Sequence, residues 1–272
     1  MQTGYVEQAD GKLYYEMDGE SNEEVLVLSH AAFLDSGMWD AQWSAFSQHY
    51  RVIRYDMRGY GKSDPVTGPR VRRQDLRMLL EHLEVESAHL LGCSMGGEMV
   101  LDLALEEPDL VRSLIIVNGP PSGFVPQGEP PAHLFDMLGA MQQGNLDLAS
   151  ELQLRIWFDG PQRTPQQVNQ AMRQRAAQMN QLFVANNTWA IADMQPLAPL
   201  QPPAIERLDE VKIPALIIKG ELDHSENLRA SALLANGIPQ AKVASIANAA
   251  HVPNMDEPAV FNEIVLRFLV AL

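Results

Sequence analysis

Short apolar runs of strand length alternate with amphipathic helical stretches along most of this chain, and that rhythm constrains the fold more than any other feature. "EEVLVLSH" reads as a strand, "MWDAQWSAFSQHY" as a helix and "RVIRYD" as a strand. "QDLRMLLEHLEV" follows, with Leu76, Leu79, Leu80 and Leu83 at helical i, i+3, i+4, i+7 spacing. The pattern continues with "AHLLGCS" (strand), "GGEMVLDLALEEP" (helix stopped before Pro108) and "VRSLIIVN" (strand). It resumes near the C-terminus with "IPALIIKG" and "AKVASIAN" as strands, "SENLRASALLANG" and "EPAVFNEIVLRFLVAL" as helices. Strands that are apolar on both faces and separated by helices pair in parallel through right-handed crossovers. The expected class is therefore α/β, a mostly parallel sheet with helices on both faces. An antiparallel edge is expected at the start, where "GYVEQADGKLYYEMDG" reads as two strands turning at Asp10-Gly11.

From Gly119 to about Arg207 the rhythm stops, and the sequence becomes rich in Pro, Gln and Met with helical patterns only. Leu134, Met137, Leu138 and Met141 form one stripe; Val168, Met172, Met179, Leu182 and Phe183 form another. "PLAPLQPPAIERL" reads as a proline-stiffened return. The domain reading is a core of residues 1–119 and 209–272 with a helical cap inserted at 120–208.

The chain of 272 residues carries a formal charge of −15, which repels phosphate backbones and anionic lipid surfaces. Neither nucleic acid nor a membrane is an expected partner; a small molecule is. The N-terminal stretch lacks an apolar core behind a positive start, and no apolar run approaches the roughly 20 residues that span a bilayer, so a soluble cytoplasmic protein is expected. Cys93 is the single cysteine, so no intrachain disulfide and no cysteine-based metal site can form. Neither a metal nor a cofactor is expected. "GYGKSD" tempts with Gly61-Lys62-Ser63, but a P-loop needs a glycine where Asp56 stands, and a dinucleotide fingerprint needs one where Asp64 stands.

The chemistry centres on Gly92-Cys93-Ser94-Met95-Gly96, a G-x-S-x-G motif lying between a strand and a helix. A sharp strand-to-helix turn lifts such a serine clear of the sheet, and neighbours without a Cβ relieve the crowding. A serine hydroxyl is a weak nucleophile near neutral pH and needs a base, which in turn needs an acid to orient it. His251 lies in the loop between the last strand and the last helix, whereas His49, His82 and His89 fall in helical or strand patterns. Asp223 follows "ALIIKGEL" at a strand end, with Glu221 the competing carboxylate; the end of "VRSLIIVN" holds Asn118. Chain order is then serine, acid, histidine. The oxyanion donors are expected from the Met95 N–H and from the loop His30-Ala31-Ala32-Phe33.

Taken together, "HAAFLDSGMWD", "RVIRYDMRGYGKSD", "LLGCSMGG" and "AAHVPNMDEPAVFN" resemble the α/β-hydrolase fold superfamily from about Tyr5 to the C-terminus. Within it they resemble the cofactor-free esterase branch of 3-oxoadipate enol-lactonases and haloperoxidase-type perhydrolases. The resemblance implies Ser94 as nucleophile, His251 as base, Asp223 as acid, and Ala32 with Met95 as oxyanion donors. One departure is Ala31, where the family usually has glycine; a positive φ at that position would move the Ala32 N–H. Dehalogenases and epoxide hydrolases of the superfamily need aspartate at the elbow and are set aside. The expected function is hydrolysis of a small ester or lactone. The pocket is expected from Phe33 and the cap residues Trp157, Phe158, Phe183 and Trp189, with Arg155, Arg163, Arg173 or Arg175 as candidates to meet a substrate carboxylate. Two other classes use the same frame: a carbon-carbon bond hydrolase or lyase, and a ligand-binding receptor with little turnover. Oligomeric state is not encoded in these patterns.

Overall fold

The computed structural model describes residues 1–8, 10–194 and 197–272. Eight strands form one sheet: β1 (Gln2–Gln8), β2 (Gly11–Asp18), β3 (Val25–Ser29), β4 (Arg51–Tyr55), β5 (Ala88–Cys93), β6 (Val111–Val117), β7 (Ala215–Gly220) and β8 (Lys242–Ile246). Their spatial order is β1-β2-β4-β3-β5-β6-β7-β8. β1 and β2 pair antiparallel as the hairpin dipeptide requires, β2 meets β4 antiparallel, and every later pair is parallel. Every residue of β3 and β5 is buried. Their continuous apolar runs match strands covered on both faces.

Helices α1 (Asp40–Ser47), α2 (Arg72–His82) and α3 (Met95–Glu106) occupy the predicted places between strands. In α2 the stripe Leu76, Leu79 and Leu80 is buried, as its spacing demands. The chain leaves α3 just before Pro108, whose ring cannot continue a helix.

Between Gly119 and Arg207 the described residues contain no strand. They form α4 (Leu134–Gln142), α5 (Leu146–Gln153) and α6 (Gln170–Asn186). The first stripe works as expected: Met137 is buried with Leu152 and Ile156, and Leu134, Leu138 and Met141 pack against them. The second stripe needs correcting at one residue. Val168, Met179 and Phe183 are buried, but Leu182 faces outward at 41% exposure, because one residue along a helix turns the side chain by about 100°. Two π-helical turns, Leu154–Asp159 and Trp189–Asp193, extend α5 and follow α6, a local feature that helical periodicity does not announce. The start of the return segment, Pro196, lies outside the described residues. After it come α7 (Ser225–Gly237), the short α8 (Pro253–Asp256) and α9 (Pro258–Val270). Among the described residues no helix is long and apolar enough to cross a membrane.

Parallel strands all deliver their following loops to one edge, the usual ligand edge of open α/β sheets. Here that edge gathers the residues after β3, β5, β6, β7 and β8. These are His30 to Phe33, Ser94, Asn118, Asp223 and His251.

Candidate active site

Ser94 sits where β5 gives way to α3 with φ 54° and ψ −119°, a conformation an L residue holds only under tight restraint. Its N–H donates to the Val117 carbonyl at 2.8 Å, and its own carbonyl accepts from the Glu98 N–H at 3.0 Å. Two glycines make the approach of helix to sheet possible. A Cβ on Gly92 would lie 2.2 Å from the Gly96 carbonyl oxygen, and one on Gly96 would lie 2.5 Å from that of Ser29. Cys93, the neighbour of Ser94, points the other way. It is fully buried, its thiol donates to the His251 carbonyl at 3.6 Å, and burial with the nearby Asp223 carboxylate pushes its pKa up. It is held as a neutral thiol away from solvent.

His251 Nδ1 lies 2.8 Å from Asp223 Oδ2, and both residues are buried. That bond puts the ring proton on Nδ1 and leaves the Nε2 lone pair free to take a proton. Asp223 Oδ1 accepts from the His224 N–H at 2.7 Å and from the Asn227 amide at 2.9 Å, while Glu221 is exposed. The Asn227 nitrogen also stands 3.1 Å from His251 Nδ1. Its donation goes to the carboxylate, since a protonated Nδ1 has no lone pair to offer and the reversed amide would set its oxygen against Asp223.

Asn118, at φ 46°, ties three loops together. Its amide donates to the carbonyls of Ala250 and His251, each at 3.0 Å, and its oxygen accepts from Gly220 N–H at 3.3 Å. The His251 loop is thus fastened to the strand ends that lead to Asn118 and Asp223 and, through Cys93, to the turn at Ser94. Among the described residues Ser94 Oγ makes no hydrogen bond to the imidazole; the links between the elbow and the His251 loop run through the side chains of Cys93 and Asn118. Asn227 and Asn118 were not assigned roles from sequence. Only the residue after a strand, an asparagine able to adopt positive φ, signals the latter.

The loop after β3 is organised by its histidine. His30 Nδ1 is 2.9 Å from the Ala31 carbonyl and Nε2 accepts from the Met57 N–H at 2.9 Å, an arrangement that only the neutral ring satisfies. Burial agrees, pushing the His30 pKa down to about 4. Ala31 does not take a positive φ, so alanine replaces the family's glycine there without strain. Among the described residues neither the Ala32 nor the Met95 N–H donates to another protein atom, and Met95 opens the positive end of α3.

The expected pocket residues separate. Trp157, in the first π-helical turn, has its ring centroid 5.0 Å from that of His251, and Phe33 is 6.3 Å away on a tilted face. Phe183 instead stacks on Tyr60 at 5.1 Å, and Tyr60 meets the edge of His30. Phe158 is fully enclosed, while Trp189 is partly buried in the second π-helical turn.

The four candidate arginines are all engaged by the protein itself. Arg155 pairs with Glu151, Arg163 with Asp256, Arg173 with Asp159 and Glu151, and Arg175 with Asp40. The "GYGKSD" loop serves as a brace: Asp56 accepts from the N–H groups of Ser36 and Lys62, and Ser63 hydroxyl donates back to the Asp56 carbonyl.

A strained serine at a strand-to-helix turn, a histidine fastened to a buried aspartate across neighbouring strand ends, and two unspent N–H groups form an arrangement able to support acyl transfer. Known proteins agree with the frame. A family model described as the alpha/beta hydrolase fold matches residues 24–258. A putative carbamate hydrolase RutD of Azorhizobium caulinodans is 32% identical over 281 residues, with 97% of each protein covered. A 2-hydroxy-6-oxononadienedioate/2-hydroxy-6-oxononatrienedioate hydrolase of Paraburkholderia phymatum is 30% identical, covering 93% of this chain and 89% of that protein. The crystal structure of an enol-lactonase from Burkholderia xenovorans LB400 superposes with a TM-score of 0.81 at 25% identity, over 98% of this chain and 100% of that one. Matched by that family model over residues 24–258, with an eight-stranded, mostly parallel sheet, the chain belongs to the α/β-hydrolase fold family, a family of hydrolases acting on small molecules.

Proposed function

We propose that this protein is a serine hydrolase that cleaves a small ester or lactone through an acyl-enzyme. The observation that carries the reading is the His251–Asp223 pair at 2.8 Å, tied through Cys93 and Asn118 to a serine held at φ 54°. Ser94 Oγ attacks the carbonyl carbon while His251 Nε2 takes the hydroxyl proton; Asp223 keeps the ring in the required tautomer and stabilises its charged form. The Ala32 and Met95 N–H groups receive the oxyanion. Collapse breaks the acyl–oxygen bond, the imidazolium gives its proton to the departing alkoxide, and the acyl group stays on Ser94. Water then repeats the sequence, and the acid leaves.

Residues 120–208 act as the cap, with Trp157 and Phe33 flanking the imidazole and keeping bulk water from it. The relatives' names span an enol-lactone, a carbamate and a dienedioate, so the carbonyl-bearing partner needs its own support. A dioate carries two carboxylates, and the arginines of residues 120–208 with candidate roles are all paired within the protein. That favours the ester or lactone reading over carbon-carbon cleavage of a dicarboxylate. Turnover also separates the enzyme from a receptor. The test is kcat/KM for p-nitrophenyl acetate, butanoate and octanoate in wild type and Ser94→Ala. Turnover reduced by roughly 10⁴-fold or more in the variant is the expected result. No turnover by wild type, or equal turnover by both, would overturn the reading.

A further inference from the structure

Beside Met95 a cavity of about 120 Å³ opens between α3 and the return of the inserted segment. Met95, Met99, Ala192 and Leu197 contribute apolar wall. Several charged residues line it too, and all but one have partners. Arg70 is paired with Asp75, Arg72 with Asp193, and Arg73 with Glu106. Asp102 accepts a hydrogen bond from the Ser122 hydroxyl at 2.6 Å. Glu98 is the exception: among the described residues its carboxyl makes no hydrogen bond and no ion pair.

Glu98 is only partly buried, so its carboxyl keeps some contact with water while facing the cavity without a partner among the described residues. Burial first, and the Asp102 charge second, push the Glu98 pKa up to about 7, and no cation opposes them. A costly group facing a cavity beside a reactive centre is a mark of ligand recognition. Its position fits. Glu98 lies one helical turn beyond Ser94, with its N–H on the Ser94 carbonyl at 3.0 Å, and Met95, the residue after Ser94, lines the same cavity. A short acyl or alcohol tail on a substrate held at Ser94 is the group this cavity would receive.

We propose that Glu98 is a specificity residue: it receives a hydrogen-bond donor, an ammonium group in preference, on the end of the substrate that fills this cavity. The proposal rests on Ser94 being the nucleophile. A carboxylate-ended substrate is disfavoured by the same cavity, because its arginines are already committed to protein carboxylates.

The test compares isosteric esters that differ only at the far end. One series is p-nitrophenyl butanoate, 3-hydroxypropanoate, 3-aminopropanoate and hemisuccinate; the other is propyl, 2-hydroxyethyl and 2-aminoethyl acetate, which places the same groups on the alcohol side. At pH 8 wild type is expected to prefer the amino ester over its methyl counterpart by roughly ten- to hundredfold in kcat/KM in one of the two series, with the hemisuccinate poorest. In Glu98→Gln the amino-to-methyl ratio falls toward one, and in Glu98→Leu it inverts. n-Propylammonium inhibits wild type competitively and Glu98→Gln more weakly, and melting curves for each variant exclude misfolding as the cause. Equal kcat/KM for amino and methyl esters in both series, or a preference that survives both substitutions, overturns the role of Glu98. If the methyl esters are turned over in a Ser94-dependent way and only the preference is missing, this inference alone fails. If no ester is turned over, the proposed hydrolase fails first.

Discussion

The sheet edge and the inserted helices solve different problems with the same kinds of residue. At the sheet edge Asn118, Asp223 and His251 stand at or just after strand ends, and short side-chain hydrogen bonds tie them to one another and to adjoining loop backbone. In residues 120–208 side chains reach out instead to core segments distant in sequence. Arg163 reaches Asp256 and the Asn248 carbonyl across the boundary, Asn180 donates to the Phe33 carbonyl at 3.0 Å, and the Thr188 hydroxyl donates to the Gly59 carbonyl at 2.7 Å. Groups seated at the ends of sheet strands tolerate little displacement, whereas helices anchored to the core by a few side chains can vary their lining while the anchors stay.

The comparison is sharpest at the acid. Asp223→Asn should lower kcat by roughly 10⁴-fold, because the amide favours the wrong imidazole tautomer, whereas exposed Glu221→Gln should leave activity within about twofold. Steady-state kinetics on one ester decide it; equal losses would break the assignment. The roof should respond differently. Trp157→Ala removes the ring 5.0 Å from His251 and should shift relative kcat/KM among acetate, butanoate and octanoate esters by roughly ten- to hundredfold. A uniform loss with a large fall in Tm would make Trp157 a packing residue instead, as a buried large-to-small change costs about 3–5 kcal/mol.

The smallest effect is one of pH and stability. Glu98 has its pKa raised to about 7, so between its ordinary value and 7 the folded state keeps a proton that the unfolded chain has lost, and stability falls as pH rises through that window. His30, pushed down to about 4, acts oppositely: the unfolded chain binds a proton that the fold refuses, and stability rises with pH up to the ordinary histidine value. The groups around Glu98 are Asp102 and Asp193 with Arg70, Arg72 and Arg73. Glu98→Gln removes one slope and leaves the other. It should melt about 2–4 °C above wild type at pH 8 and equally at pH 4, read by thermal denaturation across the pH range. A variant that gains nothing at pH 8 would remove the idea that this carboxyl strains the fold.

Legibility in the sequence follows the same division. The α/β alternation, the hairpin at Asp10-Gly11 and the order of Ser94, Asp223 and His251 are written in local patterns: apolar runs, helical spacing and glycines at a turn. Those patterns decide backbone, and backbone decides the sheet edge. Asn118, Asn227 and Glu98 carried no such pattern, since their meaning depends on atoms brought together from distant segments. Asn118 faces carbonyls more than 130 residues away, and Glu98 stands out because among the described residues its carboxyl has no partner. The aromatic residues of the insertion were legible as apolar but not as lining or core: Trp157 meets the imidazole, whereas Phe158, the next residue, is sealed inside. A π-helical turn changes which neighbour faces inward, and composition does not encode it.

The central claim is that Ser94 is the nucleophile and His251 its base. Treating the protein with a fluorophosphonate and mapping the adduct by peptide mass spectrometry tests it directly, because only an activated hydroxyl displaces the fluoride. A single stoichiometric adduct on Ser94, absent in Ser94→Ala, strongly slowed in His251→Ala and unchanged in Cys93→Ala, is the predicted result. Labelling at any other residue, or labelling of Ser94 that proceeds at full rate without His251, would contradict it.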